Sequence, residues 1–222
     1  MSKNYLKRRK SFENGFVFQN TLNKFLDEKI FEEDEEIFIC FEGIFFNHKN
    51  LRIENSVNDD FSLLKKLFFE SKKSFPSKIY GNYTGIVYDK NKKEVYLFTP
   101  HNGTKTLFYF FDKENKILIF DNSLKYVIDL MRENGYKVEL DDEGTYCLVT
   151  VGYMIGERTL IKNVKKLKPA TIFKFDGGSL SYENFFKISS YPSRKIDENV
   201  IIEELDNLFV EAFKTEYDKD LK

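Results

Sequence analysis

From Ile37 onward the chain is built of short apolar runs separated by polar breaks. "IFICFEGIFF", "TGIVYDK", "EVYLFT", "TLFYFF", "KILIFD", "TIFKFD" and "SLSYENF" are rich in Phe, Tyr, Ile and Val and too short for helices, which predicts strands. Three of the breaks read as hairpin turns: the Asn-Lys stretch in "YDKNKKEVY", the segment Asp112 to Asn115 in "FFDKENKILIF", and Asp-Gly-Gly in "KFDGGSLSY". A largely antiparallel arrangement follows. Elsewhere the period changes to that of a helix. "DDFSLLKKLFFESKK" places Leu64, Leu67 and Phe68 on one face, and "NSLKYVIDLMREN" does so with Leu124, Val127, Ile128 and Met131 behind a cap at Asn122 or Ser123. A last helix carries Ile201, Leu205, Leu208, Phe209 and Ala212, with Asp197 placed to cap it. Strands and helices in separate runs predict an α+β protein with helices layered on sheet.

Composition narrows the functional classes. With 222 residues, 41% hydrophobic and 17% aromatic, the chain can bury a sizeable core. Its 35 basic and 36 acidic residues nearly cancel, so the net charge suggests neither nucleic acid nor an anionic membrane as partner. The local basic run "KNYLKRRK" lies in residues 1–13, expected as a solvated tail ahead of a folded unit over 14–188. No apolar run reaches the roughly 20 residues that span a bilayer, and no apolar signal core follows the basic start, which predicts a cytoplasmic location. Cys40 and Cys147 are far apart in apolar surroundings, as expected of reduced, buried thiols. His48 and His101 have no partner at ligand spacing, so no metal site is expected. The polar stretch "SSYPSRK" reads as a linker, and 189–222 as that linker followed by the first helix of something further.

Four segments, taken in order, resemble the N-terminal glutaminase domain of asparagine synthetases, a class II glutamine amidotransferase domain with the N-terminal-nucleophile (Ntn) hydrolase fold. "EGIFFNHKNLR" is similar to the family's "NGEIYNHxELR", and "NDDFSLL" to "TDTEVLL". "YGNYTGIVYDKNKKEVYLFTPHNGTKTLFYFF" resembles "GMFAFAIYDxxxxxLxLARDPxGIKPLYYY", keeping the spacing of Gly81, Asp89, Gly103, Lys105, Leu107 and Tyr109. "GYMIGERTLIKNVKKLKPATIFKF" is similar to "GYVPxPxTIFKGIxKLPPGxxLxF". The resemblance covers about Ile37 to Ile188 and implies an αββα sandwich of two antiparallel sheets. It also implies a C-terminal synthetase domain as partner, in the same or a separate chain, with ATP and Mg as that domain's cofactors; whether the assembly is a homodimer is left open. The family's pyrophosphate loop, roughly "SGGLDS", has no counterpart here, and "DGGS" from Asp176 reads as a hairpin turn.

The chemistry that the resemblance implies is largely missing from the chain. The family's nucleophile is a cysteine exposed by methionine removal, whose free α-amino group, with a pKa of about 8, assists proton transfer. Here the chain begins "MSKNYLKRRK". Ser2 is the alternative nucleophile, but charged residues without alternation follow it, whereas an Ntn nucleophile begins a buried strand. Cys40 lies inside a different strand and has no free amine. Glu42 and Gly43 take the positions of the asparagine and glycine that form the family's oxyanion hole. A carboxylate there repels the charge it should stabilise, and Gly43 is expected to serve a turn or bulge. The arginine that clamps the substrate carboxylate has no equivalent between Ser11 and Cys40. Asp59, or Asp60 after a slip of one, occupies the position of the aspartate for the α-amino group, yet reads equally as a helix cap. Asn47 and His48 keep the family's side chains but suit a turn, and Pro100 replaces an aspartate. No catalytic residue is assigned. Glu42, Gly43, Asn47 and Asp59 are expected to mark a degenerate glutamine pocket, in a domain that is structural within an ATP-dependent amide-forming protein. A stand-alone protein-binding module and a hydrolase using Ser2 are the competing readings.

Overall fold

A computed structural model of the chain describes residues 5–24, 29–187 and 197–217, the last segment with side chains to 215. Six strands form the larger sheet: β3 (Lys29–Glu33), β4 (Ile37–Phe45), β5 (Gly81–Asp89), β6 (Glu94–Phe98), β10 (Thr171–Phe175) and β11 (Leu180–Asn184). They run in the order β11-β10-β6-β5-β4-β3, each pair antiparallel. A smaller sheet sets β7 (Phe108–Asp112) between β8 (Ile117–Asp121) and β9 (Val164–Lys166). The remaining strands, β1 (Tyr5–Phe12) and β2 (Gly15–Leu22), pair as a separate hairpin. The helices are α1 (His48–Asn55), α2 (Asp60–Glu70), α3 (Leu124–Glu133), α4 (Asp142–Val151) and α5 (Glu198–Tyr217).

The period-two pattern of β4 explains how these pieces stack. Ile37, Ile39, Phe41 and Phe45 face one way and pack with Leu51 of α1, Leu63, Leu64, Leu67 and Phe68 of α2, and Tyr83, Val87 and Phe98 of the neighbouring strands. On the opposite face of the sheet, Leu97 and Phe173 meet Leu107, Tyr109 and Leu167 beside the smaller sheet. That sheet turns its other side, through Phe110, Ile119 and Val164, to Val127 and Met131 of α3. The order of layers is therefore helix, sheet, sheet, helix, the αββα sandwich of antiparallel sheets expected above. The hairpins β5–β6, β7–β8 and β10–β11 also form where the polar breaks place them.

Several expectations are corrected. Residues 5–12 are not a solvated tail but β1, whose exposure alternates along its length and whose register pairs Leu6 with Thr21, Arg8 with Gln19 and Lys10 with Val17. Cations at alternate positions hid that pattern, because long basic side chains can lie along a half-buried face with their charge in water. Gly43, expected to serve a turn or bulge, lies inside β4, which runs through it to Phe45. His48 opens α1 rather than sitting in a turn, and Cys147, expected to be buried, is partly exposed on α4. The linker Ser189 to Lys195 lies outside the described residues, and α5 follows at Glu198 as expected.

Candidate functional site

The two faces of β4 carry different chemistry. Phe38 and Cys40 point between the sheets, where they pack with Val17, Phe12, Ile86 and Phe120, and Glu42 follows in the same parity. Thr21 of β2 donates its hydroxyl to Oε1 of Glu42 at 2.9 Å. From the second sheet Asp121 ends β8, and its Oδ1 accepts the Ser123 amide at 2.7 Å. Burial pushes the Asp121 carboxyl above its usual range; the Ser123 amide opposes this, and the negative charge of Glu42 adds to the rise. Burial likewise pushes the Cys40 thiol up to about 12, helped by Glu42 and opposed by Arg8. At neutral pH such a thiol is protonated and is no nucleophile.

Gly43 has a role that its neighbours impose. Its φ is +139°, and a Cβ there would lie 2.2 Å from the Asn82 carbonyl oxygen and 2.6 Å from Tyr83 Cα. It is a mid-strand glycine where the β5 backbone approaches closely, not a turn or bulge.

Asn47 and Asp59 sit at helix starts and use their side chains there. Asn47 donates Nδ2 to the Lys78 carbonyl at 2.9 Å and accepts the Tyr80 amide at 2.8 Å, holding the start of α1 to the approach to β5. Asp59 caps α2 by accepting the Ser62 amide and hydroxyl, each at 2.8 Å, and the Ser62 amide holds its carboxyl below the ordinary range. Asp60, the alternative in register, faces His48 Nδ1 at 3.0 Å and Arg52 Nε at 3.5 Å. The structure thus places Glu42 between the layers and the Asn47 and Asp59 side chains in local backbone contacts. Among the described residues no three or more His, Cys, Asp or Glu side chains form a group that could hold a metal ion. No described helix is long and apolar enough to cross a membrane.

Polar contacts also gather around Asn82. The loop after β6 folds against it, with Thr104 donating its hydroxyl to Asn82 Oδ1 at 2.6 Å. Gly103, at φ +66°, lets this loop pass Pro169. His101 packs among Tyr80, Phe185 and Phe186, and burial holds its imidazole below the usual pKa. Arg8, Gln19, Thr21 and Asp121 were not singled out from the sequence. The alternation Val17, Gln19, Thr21 was the signal available for the hairpin.

The chain is 23% identical over 185 residues to asparagine synthetase (glutamine-hydrolysing) 1 of Bacillus subtilis, covering 80% of this chain and 28% of that protein. It is 22% identical over 205 residues to a putative asparagine synthetase (glutamine-hydrolysing) 2 of Methanocaldococcus jannaschii, covering 88% of this chain and 39% of the relative. The chain thus spans well under half the length of either. Among solved structures, glutamine phosphoribosylpyrophosphate amidotransferase of B. subtilis in complex with ADP and GMP superposes on 71% of the chain and 31% of its own, at 13% identity and a TM-score of 0.37. The allosteric regulatory enzyme of purine biosynthesis gives 13% identity and a TM-score of 0.38 over 71% of this chain and 30% of that one. The family description "Glutamine amidotransferase domain" matches residues 26–186, most of the chain and all of the larger sheet, and the chain belongs to that family.

Proposed function

We propose that this chain is a glutamine amidotransferase-type domain that no longer hydrolyses glutamine and acts as a structural, interdomain scaffold in an asparagine-synthetase-like, ATP-dependent amide-forming protein of the cytoplasm. The observation that carries the reading is the carboxylate of Glu42. It stands where the resemblance puts an amide donor and is bound by the Thr21 hydroxyl. An oxyanion-hole donor supplies roughly 3 kcal/mol to acyl transfer, and an ionised carboxylate in its place opposes the developing charge. The protonated, buried Cys40 supplies no substitute nucleophile.

In this reading nitrogen comes from ammonia or from an amine on another substrate. ATP and Mg belong to a synthetase domain in the same or a separate chain. The residues present here do not fit a phosphate: in "DGGS" the amides of Gly178 and Ser179 are both taken by Asp176 Oδ1, at 3.1 and 2.8 Å, inside the β10–β11 turn. α5 is the element that would meet such a domain, because Leu205 and Phe209 on its apolar stripe are 60% and 71% exposed. The same stripe would serve a stand-alone binding module or a homodimer.

One observation favours an active hydrolase. The register Leu6–Thr21 brings the beginning of β1 to the Thr21–Glu42 end of the hairpin, and Ser2, which lies outside the described residues, precedes that strand. The deciding experiment incubates the purified chain with glutamine and measures glutamate. No release above buffer is expected, and none from the Ser2→Ala variant. Release that Ser2→Ala abolishes would overturn the scaffold reading.

A further inference from the structure

The basic run near the start of the chain divides between the two faces of β1. Arg8 and Lys10 turn inward, where Arg8 bears on the Cys40 thiol and Lys10 pairs with Glu33. Lys7 and Arg9 alternate with them on the solvent side, which they share with Tyr5. The β1–β2 register sets Tyr5 against Leu22, Arg9 against Phe18 and Ser11 against Phe16. The outer face of the hairpin is therefore an apolar patch bearing two cations. Tyr5, Phe16, Phe18 and Leu22 are each between 44% and 49% exposed, and the Arg9 guanidinium lies 4.4 Å from the centre of the Phe16 ring. α5 carries the opposite combination. Ile201, Leu205, Leu208 and Phe209 form an exposed apolar stripe, with Glu204 and Glu211 one turn to either side of Leu208 on one border. Asp206, one turn from both Ile202 and Phe209, marks the other border. Among the described residues Lys7, Arg9, Glu204, Asp206 and Glu211 have no ionic partner.

We propose that the outer face of the hairpin is the docking surface for α5 of a second copy of this chain, so that two copies exchange helices in a reciprocal dimer. Charge selects this occupant: an apolar stripe bordered by carboxylates matches an apolar patch bearing cations. The dimensions agree, since Tyr5 to Ser11 runs about 20 Å along the strand and Ile201 to Phe209 about 12 Å along the helix. A nucleic acid or an anionic lipid surface fits less well, because such binding grows with the number of charges neutralised and only two cations face outward. A second copy is favoured over the same chain by topology. α5 follows β11 at one edge of the larger sheet, whereas the hairpin packs over β3 and β4 at the other, and both faces are exposed. A two-fold axis forms the contact twice and so doubles the area buried. The inference goes beyond the scaffold reading and concerns assembly, not turnover, so the two can fail separately; a synthetase domain on the same stripe would compete with the second copy.

The test is analytical ultracentrifugation of the chain over a range of concentrations. A reversible dimer is expected, loosened as salt rises. Lys7→Glu with Arg9→Glu reverses the charge of the hairpin face, and Glu204→Lys with Glu211→Lys reverses that of the helix. Each double variant should raise the dimer Kd about tenfold or more. Mixing the two should restore a dimer, because each reversed face then meets its complement. All four positions are exposed, and circular dichroism checks that both variants fold. A chain that stays monomeric at every concentration would show that the two faces do not meet between copies. A dimer that both double variants keep would place the interface elsewhere, and variants that do not recover on mixing would show that these charges are not paired. Each of these outcomes overturns the proposal.

Discussion

Gly43 and Tyr83 stand opposite each other in the β4–β5 ladder with no room between them: a Cβ on Gly43 would come within 2.6 Å of Tyr83 Cα. The Tyr83 side chain cannot move aside to help, because it is fully buried beside Phe41 and Phe98. Gly43→Ala must therefore shift backbone while adopting a φ of +139°. A loss of roughly 2–4 kcal/mol of stability is expected, read from urea unfolding. A near-neutral result would show that β4 can slide past β5.

The thiols should separate by reactivity. Cys40 is buried, with its acidity suppressed to a pKa of about 12, whereas Cys147 is partly exposed on α4. A thiol reagent at pH 8 is expected to label one cysteine in the native chain and two in denaturant, with mass spectrometry placing the native label on Cys147. Native labelling of Cys40 would remove the case against it as a nucleophile.

Lys72 supports a carboxylate that water cannot reach. Asp89 is 1% exposed, accepts the Lys92 amide at 3.0 Å and pairs with the Lys72 ammonium. Lys72→Ala strands that charge and should destabilise by about 3 kcal/mol in chemical unfolding, while Lys72→Met with Asp89→Asn should recover most of the loss. The asparagine still accepts from Lys92, so equal losses in the single and double variants would show that packing, not charge, dominates.

The α2 cap makes stability depend on pH. The folded Asp59 carboxyl titrates below its ordinary 3.8, so its contribution is present above that value and is lost as pH falls through the folded pKa. Asp59→Ala should cost about 1 kcal/mol near neutrality, and the gap to wild type should close below pH 3.8 in thermal melts. A gap that persists in acid would assign the loss to helix propensity.

Asp121 works in the opposite direction. Its folded pKa is raised above the ordinary 3.8, so its favourable contribution is complete below that value and is lost as pH rises through the folded pKa. Asp121→Asn keeps an acceptor for the Ser123 amide and removes the buried charge. It should gain stability over wild type at pH 7 and show little difference near pH 3. A variant less stable than wild type at pH 7 would mean that the ionised carboxyl makes contacts an amide cannot replace.

Much of the layered fold was legible because it rests on local rules. Ile37 to Phe41 alternate around a sheet buried on both sides, "DGGS" and "KENK" can only turn, and Asp59 followed by Ser62 is a cap wherever it occurs. α4 was missed because Tyr146, Leu148, Val149 and Val151 stay largely exposed and trace no single apolar face. β1 was missed because its inward row mixes Leu6, Arg8, Lys10 and Phe12, a pattern that is apolar only at its ends.

The sequence by itself determined the family resemblance and the antiparallel sheets, since these follow from residue order, period and identity. Tertiary structure alone decided where the leftover polar groups meet. Gln19 and Thr21 lie on β2 and Glu42 on β4, and no local period links them. Only the stacking of the hairpin on the inner face of β4 buries the Gln19 amide and brings the Thr21 hydroxyl to the Glu42 carboxylate, where hydrogen bonding rather than hydrophobicity decides the contact.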